Sequence, residues 1–202
     1  KMCMISLPIN EVTNTNLFVA LDDEKQRQLT VYSNLVDNNI NANAMVIPVP
    51  HPNTVQFHDL STYKTFFDDC DKSFKLRSLT RGYGVTLSTN SFNFSIDSTK
   101  KPIAVQTVGS YRVSVVPSID ELENIDENIF VLSDGLKNIL AEHYNGIEWG
   151  FIVFVLATDR KEYHPFAWSH NLLNGQIYIP TRHYHDHQDD ENVDEDLLSY
   201  GK

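Results

Sequence analysis

The chain has 202 residues, 41% of them hydrophobic and 21% charged, a balance that suits one large domain able to bury a core without disulfide or metal. Its formal net charge is −11, and residues 183–202 alone hold seven acids and one base, a field that repels phosphate backbones and argues against a nucleic-acid partner. The longest apolar run, Gly150 to Ala157, is too short to span a bilayer, so no transmembrane segment is expected.

The first part reads as strands. Leu17 to Leu21 is apolar throughout, Asp22-Asp23-Glu24-Lys25 is a polar turn, and residues 29–36 alternate with a period of two. Met45 to Pro50 follows, and its two prolines predict an edge or a strand end. Val55 and Phe57 begin another short extended stretch. Tyr63, Phe66, Phe67, Cys70 and Phe74 then fall on one helical face, with Ser61 or Thr62 as N-cap. Residues 82–102 predict a hairpin around Thr89-Asn90-Ser91.

Ile103–Pro117 reads as a strand interrupted near Gly109. Ser118 with Glu121 forms a capping box for a short helix, and Ser133 caps a second carrying Leu136, Ile139, Leu140 and Tyr144, stopped at Asn145-Gly146. Phe151 to Leu156 predicts a central strand buried on both faces. Tyr163–Trp168 and Gln176–Tyr184 predict a hairpin around Asn174-Gly175. Strands and helices segregate, so the expected fold is α+β. It is a single domain with a mostly antiparallel sheet, two to three short helices and a flexible acidic C-terminal tail. Residues 1–182 form the globular part and 183–202 the His-rich, acidic tail.

Few residues suggest chemistry. His183, His185 and His187 alternate. On a strand, histidines two apart lie about 6.7 Å from each other at Cα and can share an ion, whereas those four apart, at about 13 Å, cannot. At most two of the three are co-ligands, with His164 or His170 as a third donor and zinc or a similar divalent ion as the metal. A solvent-facing strand end running into the tail is the plainer reading. Cys3 suggests an N-terminal nucleophile only if Lys1 and Met2 are removed; a buried strand cysteine is preferred. Cys70 is core, and Cys3 and Cys70 make no disulfide framework. Gly82-Tyr83-Gly84 is a turn rather than a phosphate loop. Tyr32, Tyr63, Trp149, Phe151, Phe154 and Trp168 are expected in the core.

The strand Gln28–Val36, Asn43 to Pro50, the helix of Thr62–Phe74, Val108-Gly109-Ser110-Tyr111-Arg112-Val113 and His164-Pro165-Phe166, with an early Cys3, resemble a family of uncharacterised bacterial proteins, a domain of unknown function. Those proteins carry an A-M-V-V-P-V-P strand and a V-G-x-Y strand. The resemblance spans Met2 to Pro180 and implies no catalytic residue; many members look secreted or envelope-associated. This chain departs from them in its histidine-rich acidic end and in having no charged stretch before an apolar one that would mark a signal peptide. A cytoplasmic or virion location is therefore expected, or a secreted one if a signal peptide was cleaved.

The leading expectation is a non-enzymatic structural or interaction domain with a protein partner or with copies of itself, within an assembly such as a virus particle. Asn occurs 18 times, as often as Leu, which suits the AT-rich coding of amoebae and their large DNA viruses. The alternative is a divalent-metal-binding domain or metal-dependent hydrolase using His183 and His185. A third reading is a Cys3-dependent hydrolase.

Overall fold

The computed structural model describes residues 4–75, 103–158, 161–162 and 164–185. β1 (Met4–Ile5) is followed by a long hairpin of β2 (Glu11–Asp22) and β3 (Arg27–Asp37). β4 (Ala44–Pro50), a 3₁₀ turn at Pro52–Thr54 and β5 (Gln56–His58) lead to α1 (Phe66–Lys75). β6 (Gln106–Val108), β7 (Tyr111–Val116) and a 3₁₀ helix at Ile119–Asn124 precede α2 (Asp134–His143). β8 (Trp149–Val155), β9 (Lys161–Glu162), β10 (Phe166–Asn171) and β11 (Tyr184–His185) follow.

The strands make two sheets. One runs β11-β1-β4-β8-β7-β6, and the other β2-β3-β10-β5, with β9 pairing β3. Among the described residues β1·β11 is the parallel pair of strands, and the others are antiparallel. The chain is an α+β domain of mostly antiparallel sheet with short helices, as its patterning predicts.

Period-two alternation explains the layers. On β4, β7 and β8, Met45, Ile47, Val49, Val113, Val115, Ile152 and Phe154 face the second sheet, where they meet Tyr32, Val36, Phe166 and Trp168. The alternate residues Ala44, Val46, Val116, Phe151 and Val153 face the other way and are covered by Leu122, Phe130 and the α2 residues Leu136 and Leu140. On the far side of the second sheet, Val31 and Ala167 are covered by Phe66, with Phe67 and Cys70 of α1 packed beside it. The order is helix, sheet, sheet, helix. Strands buried on both faces read as continuous apolar runs, which is why β8 has no polar side.

Several expectations are corrected. β4 is an interior strand between β1 and β8 rather than an edge, and its prolines fall in its last three residues, as the strand-end alternative has it. The Asn43 carbonyl accepts from Leu156 on the β8 side and the Ala44 carbonyl from Ser6 on the β1 side. By alternation Pro48 and Pro50 direct their missing N–H away from β8, so the β4–β8 ladder loses no donor there. α1 starts at Phe66 rather than after Ser61 or Thr62, because Ser61 N–H donates to the Asp59 carboxylate in a preceding turn. Phe74 is 70% exposed, outside the apolar face it was assigned to. Ile103–Pro117 is a hairpin, β6–β7, turning at Gly109 with φ of +58°. Ser118 does precede the 3₁₀ helix, but its hydroxyl makes no capping hydrogen bond; the Glu121 carboxylate accepts from the Asn124 side chain instead.

The turn at Asn174-Gly175 forms, with φ of 52° and 71°, but the hairpin around it does not extend. Both edges of β10 are already taken by β3 and β5, so the chain crosses to the other sheet and pairs β11 with β1. The hairpin expected at 82–102, Gly82-Tyr83-Gly84, Cys3 and residues 186–202, including His187, lie outside the described residues.

Candidate ligand-binding cleft

Register decides which side chains of the second sheet share a face. Arg27 pairs with Asn171 and Leu29 with Ser169, while Ser169 pairs with Gln56 and Ala167 with His58. Opposed residues on neighbouring strands point the same way. Phe57 and Trp168 turn into the core between the sheets, so Arg27, Gln56, His58, Ser169 and Asn171 stand on the opposite face. There Arg27, His58 and Ser169, with Leu29, Val31, Ala167 and Phe66, line a cleft of about 1000 Å³.

Arg27 organises the polar part of the cleft. Its Nη1 donates to Asn171 Oδ1 at 2.9 Å, and its Nη2 donates to the Thr54 carbonyl at 2.9 Å and to Ser169 Oγ at 3.0 Å. Ser169 Oγ lies 3.0 Å from His58 Nε2. A hydroxyl that accepts from Arg27 still has its own proton to give, so Ser169 can donate to a neutral His58 in the tautomer that leaves Nε2 unprotonated. Burial, and secondarily the Arg27 cation, push His58 below the ordinary imidazole value of 6.5, which keeps it uncharged at neutral pH.

All three acceptors of the guanidinium are neutral. Among the described residues no carboxylate forms an ion pair with Arg27; Asp22, whose field reaches it, is paired with Lys25 at 3.1 Å. Burial lowers the Arg27 pKa, the mark of a cation drawn partly out of water. Asp59 also lines the cleft, with its charge satisfied chiefly by Ser61 N–H at 2.8 Å. The hydrogen bonds tie β3, β5 and β10 to the 52–54 turn, a task that needs no net charge. A cation without an ion pair among the described residues is therefore the feature that a purely architectural role leaves unexplained.

A second polar group lies between the sheets. Gln28 Nε2 donates to Thr30 Oγ1 at 2.8 Å and to the Tyr178 carbonyl at 2.7 Å, while Gln28 Oε1 accepts from Tyr178 N–H at 2.8 Å. His170 is buried beside it, with Nδ1 2.8 Å from the Asn171 carbonyl. The Trp168 indole N–H is buried with no hydrogen-bond partner among the described residues.

The residues singled out from the sequence lie elsewhere. His183 is exposed just before β11, and His185 ends that strand. His164 Nε2 accepts from Ser110 N–H at 3.0 Å and its Nδ1 faces the Pro165 carbonyl at 2.8 Å, so both ring nitrogens are engaged. Among the described residues no group of three or more His, Cys, Asp or Glu is placed to hold a metal ion. Cys70 is half-buried on α1, its thiol pushed up by burial. Of the expected core aromatics, Tyr32, Phe151, Phe154 and Trp168 are buried, and Tyr63 and Trp149 half-buried.

Sequence reading missed Arg27, His58 and Ser169, which lie far apart in the chain and belong to no motif. Their strand phase was readable, but the register that joins them was not. No protein-family model matches the chain, and no solved structure matches it.

Proposed function

We propose that the chain is an interaction domain whose site is the cleft on the outer face of the second sheet, and that it takes a carboxylate carried on an apolar body. The observation that carries this reading is the Arg27 guanidinium, partly desolvated and without an ion-pair partner among the described residues, standing in a cleft walled by Leu29, Val31 and Phe66. Both Nη2 hydrogens go to Thr54 and Ser169 and one Nη1 hydrogen to Asn171, so a carboxylate accepts singly from a remaining guanidinium N–H, a charge-assisted contact that contributes about 1.5–3 kcal/mol. The apolar walls supply the rest of the affinity through area removed from water.

Calorimetric titration with octanoate, and with octanol as its neutral counterpart, tests this. Octanoate binds at one site, octanol binds at least about tenfold more weakly, and Arg27→Gln weakens octanoate by a similar factor. Failure of octanoate to bind, or equal binding by wild type and Arg27→Gln, would overturn the reading.

A further inference from the structure

We propose that the same cleft is an esterase centre in which Ser169 is the nucleophile and His58 its general base. The proposal rests on the carboxylate-binding reading, since the carboxylate held at Arg27 becomes the product of the reaction. It goes beyond that reading by assigning a covalent step.

Four features support the chemistry. Ser169 Oγ and His58 Nε2 are 3.0 Å apart, within the reach that proton transfer needs. Arg27 Nη2 donates to the same Oγ at 3.0 Å, so a cation stands where negative charge develops as the hydroxyl loses its proton. Ser169, His58 and Arg27 all line the cleft, so a substrate seated there meets the three together. Ser169 sits on β10 and His58 on β5, paired strands that hold their separation without relying on a loop.

The reaction is hydrolysis of an ester of an apolar acid. An Oγ lone pair bonds to the ester carbonyl carbon as the Oγ proton passes to His58 Nε2, and the carbonyl π pair moves onto the carbonyl oxygen. That pair returns to carbon, the ester C–O bond breaks, and the leaving alkoxide takes the proton from Nε2, giving acyl-Ser169 and an alcohol. Water then attacks the acyl carbon and gives a proton to Nε2. Collapse releases Ser169 Oγ, which recovers that proton, and the acid leaves as its carboxylate after losing a proton to solvent. Ester and water are consumed; acid and alcohol are formed.

The test treats the full chain with a fluorophosphonate and with p-nitrophenyl octanoate, and locates the phosphonyl group by peptide mass measurement. The expected result is one adduct on Ser169, turnover of the ester, loss of both in Ser169→Ala, and a drop of about 100-fold or more in labelling rate in His58→Gln. Labelling elsewhere or nowhere, or hydrolysis at the same rate in wild type and Ser169→Ala, overturns the proposal. Octanoate binding by the wild-type chain, measured alongside, separates the two ideas. Binding without adduct or turnover defeats the esterase alone, whereas absence of binding defeats the carboxylate cleft on which it rests.

Discussion

His170 is pinned between the two sheets, where burial holds its imidazole down to about 4, with Arg27 and His51 adding repulsion and the Asn171 carbonyl opposing them. An unfolded imidazole takes up a proton near 6.5. Below that value the unfolded chain therefore binds a proton that the folded one refuses, and stability falls from pH 6.5 down to about 4. The full loss is about 3 kcal/mol, and about 2 kcal/mol of it is gone by pH 5. His58, lowered by burial as well, acts in the same direction. Urea midpoints at pH 7 and pH 5 should show the drop, and His170→Gln should flatten it; an unchanged wild-type midpoint contradicts the account. At this scale the sequence was least legible. A run such as His183-Tyr184-His185 attracts notice because its members are adjacent. Arg27, His58 and Ser169 become neighbours only through two strand registers, and side-chain identity encodes neither.

The helices and the longer strands were legible because local signals and tertiary packing agree there. Ser133 Oγ accepts from Leu136 N–H as the N-cap of α2, and Leu136 and Leu140 are fully buried on one side of it. The two contributions differ in size. Ser133→Ala should cost about 1 kcal/mol and Leu140→Ala about 3 kcal/mol in urea unfolding, since a lost cap frees one backbone donor while a lost leucine leaves a cavity. Equal losses would mean that α2 is held by its end rather than by its buried face. Where local rules failed, a neighbour had overridden them. The prolines of β4 keep their pairing with β8 because their missing N–H lies on the other edge of the strand. The return arm after Asn174-Gly175 leaves its partner because β10 has no free edge. Each reason lies in a distant segment, beyond any window read along the chain.

On the scale of the whole molecule, an α+β domain of mostly antiparallel strands was legible from segregated elements, whereas the stacking of two sheets was not. Alternation tells which residues share a face but not which layer that face meets. Phe154 and Phe151 are equally apolar, yet one faces the second sheet and the other α2. Closure of the layers relies on contacts between remote residues, of which Gln28 is the clearest: its side-chain amide acts as a short strand for the backbone of Tyr178, 150 residues away. Gln28→Ala strands that N–H and carbonyl, at a cost of about 1–3 kcal/mol. Hydrogen exchange should show the Tyr178 amide losing protection in this variant while the amides of β8 keep theirs; matched loss at both would mean that Gln28 holds the entire fold rather than one crossing.

The parallel pair of β1 and β11 sets a timetable for biosynthesis. Met4 is made 180 residues before its partner Tyr184. Until that partner emerges the rim of the larger sheet beside Ile5 lacks it, inviting a stray strand from a neighbouring nascent copy. Quick elongation, or a chaperone shielding that rim, would narrow the opportunity, so yield on overexpression should depend more on the pace of synthesis than on the stability of the finished protein.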